Sequence, residues 1–289
     1  MTRFENKSQD EPALIDTEKL IKKGNSPILK RMPQFVVNFI KKLIHQDEVN
    51  QQIIEHKEKY GLDFIEANMK YLNISMIMHG FENLPDNGRF IFVCNHPLGG
   101  IDFYVALIAA LKKYPRVKAV ANDILMSLRN LRDLFLPVNV FGRSPQSYYD
   151  MINEALASDI QVMTFPAGEV SRMRKGVIKD GAWHRSFVRN ALEYQRDVIP
   201  VYIHAKNSKR FYFLGRLREK LGIKANLELF LLPDELFRQR GKTINVVIGK
   251  VIPFKTFDDT KSHYDWSQEI KEILYELQHE LPQHLLENY

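Results

Sequence analysis

The stretch Asn95-His96-Pro97-Leu98-Gly99-Gly100-Ile101-Asp102 holds the side chains of this chain best suited to do chemistry. A histidine is the group best matched to proton transfer near neutral pH. A carboxylate within reach, here Asp102, would fix its tautomer and stabilise the imidazolium. Gly99 and Gly100 permit tight backbone, so amides there could point at an anion or an oxyanion. No Gly-x-Ser-x-Gly elbow occurs, and Cys94, the only cysteine, lies inside an apolar run and reads as a small buried hydrophobe. A base without an enzyme nucleophile suggests direct activation of a substrate hydroxyl. The competing reading is a hydrogen-bonded turn or helix cap. No His-x-x-x-His or Glu-x-x-His spacing accompanies the pair, so no metal site is expected.

The elements on either side explain how such a pair could be placed. Phe90–Cys94 has strand length and β-formers, whereas Phe103–Leu111 is longer, rich in Ala and Leu, and helix-like. The candidate residues therefore lie where a strand hands over to a helix, the usual ligand position in α/β sheets. Further strands are expected at 74–81, 117–121, 138–141, 160–165, 198–203 and 244–248. Helices are expected at 124–135, 147–157, 183–194 and 264–281, with a short one near 13–22. Pro200 inside its strand argues for an edge or a bulge. The resulting class is α/β, a mixed and mostly parallel sheet flanked by helices. Residues 1–75 read as a polar tail with helices, and residues 76–289 as the main domain.

Four blocks in order resemble the motifs of the glycerolipid (lysophospholipid) acyltransferase superfamily, over roughly residues 80–255. The first is the His96–Asp102 stretch, similar to Asn-His-x-x-x-x-Asp. The second is Val138-Asn139-Val140-Phe141-Gly142-Arg143-Ser144, an apolar run ending in Arg. The third is Phe165-Pro166-Ala167-Gly168-Glu169-Val170-Ser171, similar to Phe-Pro-Glu-Gly-Thr-Arg-Ser. The fourth is Val198-Ile199-Pro200-Val201-Tyr202-Ile203, an apolar strand holding a proline. Two departures stand out: one extra residue between His96 and Asp102, and Ala167 where Glu is usual, with Glu169 after the glycine. Both look like a hemolysin-like bacterial branch that includes O-acyltransferases of ornithine- and glycine-lipid synthesis.

The resemblance implies acyl transfer from a thioester to a lipid hydroxyl, with His96 as base and Asp102 as its partner. It implies that Arg143, Glu169 and Ser171 bind the acceptor or brace the site, and that the strand of Pro200 lines the acyl pocket. Backbone at Gly99, Gly100 or Gly168 could stabilise the oxyanion. No cofactor is implied. The acceptor reads as an amino-acid-containing lipid; a lysophosphatidic acid or other lysophospholipid acceptor, and an inactive lipid-binding module, are the alternatives.

Composition bounds the setting. The chain has 289 residues, 45% hydrophobic and 26% charged, an ordinary globular profile. No apolar run approaches the ~18–20 residues needed to span a bilayer. The polar first ten residues show no secretory leader, and a single cysteine fits a reducing compartment. The net charge is +6, and residues 172–224 carry fourteen Lys/Arg against four acids. A solvated basic face is the plain reading. Beside the resemblance, an anionic membrane surface and an acidic acyl carrier protein become the natural partners, with acyl-CoA as the other donor. No nucleic-acid-binding motif is present. After Pro33, the spacing of Phe35, Val36, Val37, Phe39, Ile40, Leu43 and Ile44 predicts an amphipathic helix, which either packs on the domain or lies on a membrane. Residues 208–224 mix aromatics with Arg and Lys and leave the same two readings open. The expected location is cytoplasmic, peripheral on the inner face of the cell membrane.

Overall fold

The computed structural model describes residues 14–19, 31, 33–139, 142–222 and 227–286. From residue 33 onward three helices come first, α1 (Gln34–Leu43), α2 (Gln46–Glu55) and α3 (Gly61–Tyr71). Strands β1 (Ser75–His79) and β2 (Phe90–Cys94) follow, then α4 (Gly100–Leu111), β3 (Val117–Asn122), β4 (Phe135–Val138), α5 (Gln146–Ala157) and β5 (Gln161–Thr164). A small hairpin, β6 (Arg172–Arg174) and β7 (Val177–Lys179), leads to α6 (Ser186–Tyr194) and β8 (Asp197–His204). The chain ends with α7 (Lys209–Lys220), α8 (Leu232–Phe237), β9 (Thr243–Ile248), α9 (His263–Glu276) and α10 (Gln283–Leu286).

Seven strands form one sheet in the order β1-β9-β8-β2-β5-β3-β4. β8, β2, β5, β3 and β4 run parallel, while β9 meets β8 antiparallel and carries β1 with it. The sheet is thus mixed and mostly parallel, as the alternating strands and helices predict. β2 is buried at all five positions, the pattern of a strand covered on both faces. Its period of two divides the core. Phe90, Phe92 and Cys94 join a cluster with Phe64 and Ile65 of α3 and Leu107 of α4. Ile91 and Val93 join the opposite cluster with Phe187 of α6 and Ile270 and Leu274 of α9.

Several sequence expectations shift. The strand expected at 138–141 is β4, three residues earlier; residues 140 and 141 lie outside the described residues. The helix expected at 124–135 is two short 3-10 segments, Asp123–Ser127 and Arg129–Leu134. Of the short helix expected near 13–22, residues 14–19 are described and 17–19 are helical; the rest lies outside the described residues. Residues 33–58 hold two helices, because His45 adopts a left-handed conformation (φ 50°) between α1 and α2. Its ring stacks on Phe237 at 4.0 Å, and its Nε2 lies 3.0 Å from Asp234 of α8. The corner is thereby pinned to the main body.

Pro200 is not on an edge strand. β8 lies between β9 and β2, and the proline is accommodated by a bulge in the facing chain. Val201 pairs with Ile248, but Val198 pairs with Ile252, so the facing chain holds one extra residue.

Candidate active site

The rim at the carboxyl end of β2 is built by short backbone commitments. Asn95 extends β2 by a side-chain bridge: its Oδ1 accepts from the Ile203 amide at 2.7 Å and its Nδ2 donates to the Ile203 carbonyl at 3.0 Å. The Pro97 carbonyl accepts from Asn207 Nδ2 at 3.0 Å. Gly99 then turns the chain at φ 97°, ψ −111°, a conformation that a side chain would resist, and caps α4. Asp102 sits at the third helical position and reaches back, so the turn absorbs the extra residue of the motif.

That return brings Asp102 Oδ2 to 3.0 Å from His96 Nδ1. The same oxygen accepts the amides of Leu98 (2.8 Å) and Gly99 (2.9 Å). Asp102 is fully buried, and burial raises its carboxyl above the ordinary range against the opposing pull of His96 and the two amides. The His96 ring packs on Phe165 at 4.7 Å between centroids, and its side chain keeps 21% exposure. With Nδ1 donating to Asp102, Nε2 is the open nitrogen, a tautomer inferred from the hydrogen bond. Cys94 is fully buried and its thiol is pushed well above its normal range by desolvation, so it is no nucleophile.

The glycine amides divide differently from expectation. Gly99 donates to Asp102, and Gly168 donates to the Phe165 carbonyl at 3.0 Å, closing a tight turn. Neither amide is available as the oxyanion donor expected there. Gly100 is exposed and opens α4, where amides lack intrahelical partners.

Ser171 is also placed otherwise than an acceptor-binding residue would be. It is 1% exposed; its amide donates to the His96 carbonyl at 2.8 Å and its hydroxyl to Asp180 Oδ1 at 2.5 Å. It braces the histidine from behind, because the hairpin after Gly168 folds back under the β2 rim. Glu169 remains half-exposed, with Oε2 3.7 Å from Arg172. Arg143 is exposed and lies five residues past the end of β4, a strand that stands three strand spacings from β2, about 14 Å. Pro200 is buried, its ring against Gly249, where a Cβ would lie 2.8 Å from the ring.

The basic band is partly interior. Arg172 pairs with buried Glu228 at 3.1 Å, and Arg218 reaches the same glutamate at 3.0 Å. Arg196 is fully buried and donates to five backbone carbonyls: Phe90, Ala155, Leu156, Ser158 and Ile160. Desolvation lowers its guanidinium to about 10. The charge count of residues 172–224 therefore overstates the charge on the surface. Sequence reasoning also missed Asp180, Asn207 and Tyr275. None lies in a motif block, and each reaches the rim from far along the chain.

A family described as "Acyltransferase" matches residues 19–281. The chain is 41% identical over 272 residues to the lyso-glycine lipid O-acyltransferase of Bacteroides thetaiotaomicron, covering 93% of this chain and 100% of that protein. It is also 41% identical over 272 residues to the lyso-glycine lipid O-acyltransferase of Phocaeicola vulgatus, covering 93% of this chain and 97% of that one. Among solved structures it is similar to the 1-acyl-sn-glycerophosphate (LPA) acyltransferase PlsC of Thermotoga maritima, at 18% identity, a TM-score of 0.46, and coverage of 84% and 89%. A family match along most of the length, with two relatives aligned over 93% of it, makes this chain a member of that acyltransferase family.

Proposed function

We propose that this protein is an O-acyltransferase that moves a fatty acyl group from a thioester to the hydroxyl of a lyso-glycine lipid. The observation that carries the reading is the His96–Asp102 pair at 3.0 Å on the β2 rim, in a chain 41% identical to two enzymes of that name over almost its whole length. His96 Nε2 takes the proton of the acceptor hydroxyl as its oxygen attacks the thioester carbonyl. Asp102 holds the ring and balances the imidazolium. The Gly100 amide at the positive end of α4 stabilises the oxyanion. The carbon–sulfur bond then breaks, the ester forms, and the leaving sulfur takes the proton from His96. With Cys94 buried, no acyl-enzyme is needed. Arg143 and Glu169 flank the acceptor, and Pro200 supports the acyl pocket through the fixed geometry of β8.

The acceptor is an amphiphile, so the enzyme works at a membrane. Among the described residues no helix is long and apolar enough to cross one. Two surfaces support peripheral docking. On α1, Phe35 is 74% and Phe39 62% exposed. On and just after α7, Phe213, Leu217 and Leu221 are exposed at four-residue spacing beside Lys209, Arg216 and Lys220. The same basic residues suit an acidic acyl carrier protein as donor, with acyl-CoA as the alternative.

Thiol release tests the reading. Purified protein is given acyl carrier protein thioester or acyl-CoA, with an N-(hydroxyacyl)glycine in one series and lysophosphatidic acid in another, and His96→Ala beside each. Release with the glycine lipid that is lost in the variant is the expected result. Release with lysophosphatidic acid alone would overturn the acceptor, and full activity of His96→Ala would overturn the mechanism.

A further inference from the structure

Two buried aspartates hold His96, and the reaction proposed above uses only one of them. Asp102 takes the ring at Nδ1. Asp180, 84 residues away and 5% exposed, takes the backbone: its Oδ1 accepts the His96 amide at 3.2 Å. The same oxygen accepts the Ser171 hydroxyl, and Oδ2 accepts Trp183 Nε1 at 2.9 Å. Ser171 returns its own amide to the His96 carbonyl at 2.8 Å. Both backbone groups of His96 are therefore tied to one short segment, residues 171–180. The segment is anchored in turn to α9, because the Asp180 amide donates to the Tyr275 hydroxyl at 2.8 Å.

The geometry points to Asp180 as the positioning residue for His96, acting with Ser171, Trp183 and Tyr275 to fix where the ring stands relative to the acceptor. This rests on the reading of His96 as the base. The chemistry of the cluster selects a carboxylate. His96 N–H, Ser171 O–H and Trp183 Nε1–H all point donors at it, and a carboxylate is the side chain that offers acceptors alone. An asparagine would turn an amino group toward one of these donors. Burying a carboxylate is costly, and the three hydrogen-bond donors offset that cost, with the Lys271 ammonium near enough to interact with it. A feature that only stabilised the hairpin would not need to end on the amide of the histidine. Ring orientation matters because a displacement near 1 Å from productive geometry costs about 100-fold in rate.

The placement also explains the hairpin. β6 and β7 form a two-stranded unit outside the main sheet, and its two ends deliver Ser171 and Asp180 side by side under the β2 rim. The register pairs Arg172 with Lys179, so the residues just outside that pair, 171 and 180, are brought together. The hairpin is the clamp, and Asp180 is the point at which it grips.

The test compares Asp180→Asn, Ser171→Ala and Tyr275→Phe with the wild type and with His96→Ala. The readouts are kcat and KM for both substrates, the unfolding midpoint, and the ¹⁵N signals of the His96 ring. Asp180→Asn is expected to lower kcat about 10- to 100-fold with acceptor KM within about twofold. Its ring spectrum should show a second tautomer beside the single one of the wild type. Ser171→Ala and Tyr275→Phe, each removing a single hydroxyl, should show smaller losses in the same direction and keep the protein folded if Asp180→Asn does not. Full kcat and an unchanged ring spectrum in folded Ser171→Ala and Tyr275→Phe would overturn the proposal, as would full kcat in folded Asp180→Asn. If His96→Ala itself keeps full activity, the reading of the base fails. If His96→Ala is dead while the three variants are wild-type in rate, only the positioning role fails.

Discussion

Oδ2 of Asp102 meets His96 Nδ1 at 3.0 Å and two backbone amides besides, while Oδ1 of the same carboxylate is buried with no hydrogen-bond partner among the described residues. The group is lopsided: everything that stabilises its charge converges on one oxygen. Burial outweighs those contacts and raises its pKa. A carboxyl whose folded pKa exceeds its unfolded value near 3.9 keeps its proton in the native state after the unfolded chain has lost it. Folding stability then falls as pH rises through the window between the two values.

Asp102→Asn should separate catalysis from stability. Turnover should drop about 10²- to 10⁴-fold, since the ring loses its orienting charge. The variant should lack the pH-linked loss. Urea unfolding from pH 4 to 7 checks this: the stability difference between variant and wild type should move in favour of the variant as pH rises. A difference that stays flat, or moves the other way, would contradict the burial argument.

Arg196 should be the least replaceable cation of the chain. Arg196→Met leaves five carbonyls at the junction of α5, β2 and β5 without their donor. The expected cost is about 3–5 kcal/mol in denaturant unfolding. Arg196→Lys should recover only part of it, because one ammonium cannot reach five carbonyls. Activity per folded molecule should be unchanged in both.

Gly249→Ala tests the bulge. Its Cβ would sit 2.8 Å from the Pro200 ring and about as close to Leu277. Overpacking there should cost about 1–3 kcal/mol. Pairing it with Pro200→Ala should relieve most of that loss, which a double-mutant cycle would measure as coupling between the two sites.

Membrane docking should depend on the outer face of α7. Replacing Phe213, Leu217 and Leu221 by serine should weaken binding to vesicles containing anionic lipid, read by flotation. Raising salt should weaken the wild type as well, because exposed Lys209, Arg216 and Lys220 are screened. Turnover on a short-chain acceptor in solution should survive the triple change. Undiminished flotation would leave Phe35 and Phe39 of α1 as the docking surface.

The sequence by itself determined the local events. A β-rich apolar run followed by Asn-His, two glycines and an Asp at the head of an Ala/Leu-rich helix reads as a strand-to-helix junction. The structure delivers that junction with the His–Asp contact in place. The strand and helix alternation likewise gave the mixed, mostly parallel sheet, since each element's period depends on neighbours a few residues away. The tertiary structure decided what depends on distant residues. Pro200 marked an edge or a bulge, and only β9 on one side and β2 on the other decided for the bulge. Gly99 and Gly168 looked like free amides until their partners, Asp102 and Phe165, were placed. Ser171 read as a rim residue until the hairpin folded it beneath the rim. Asp180, 84 residues from His96, carries no local signal at all: a carboxylate in a basic stretch looks like a surface charge, and only packing against Ser171, Trp183 and α9 makes it an internal acceptor.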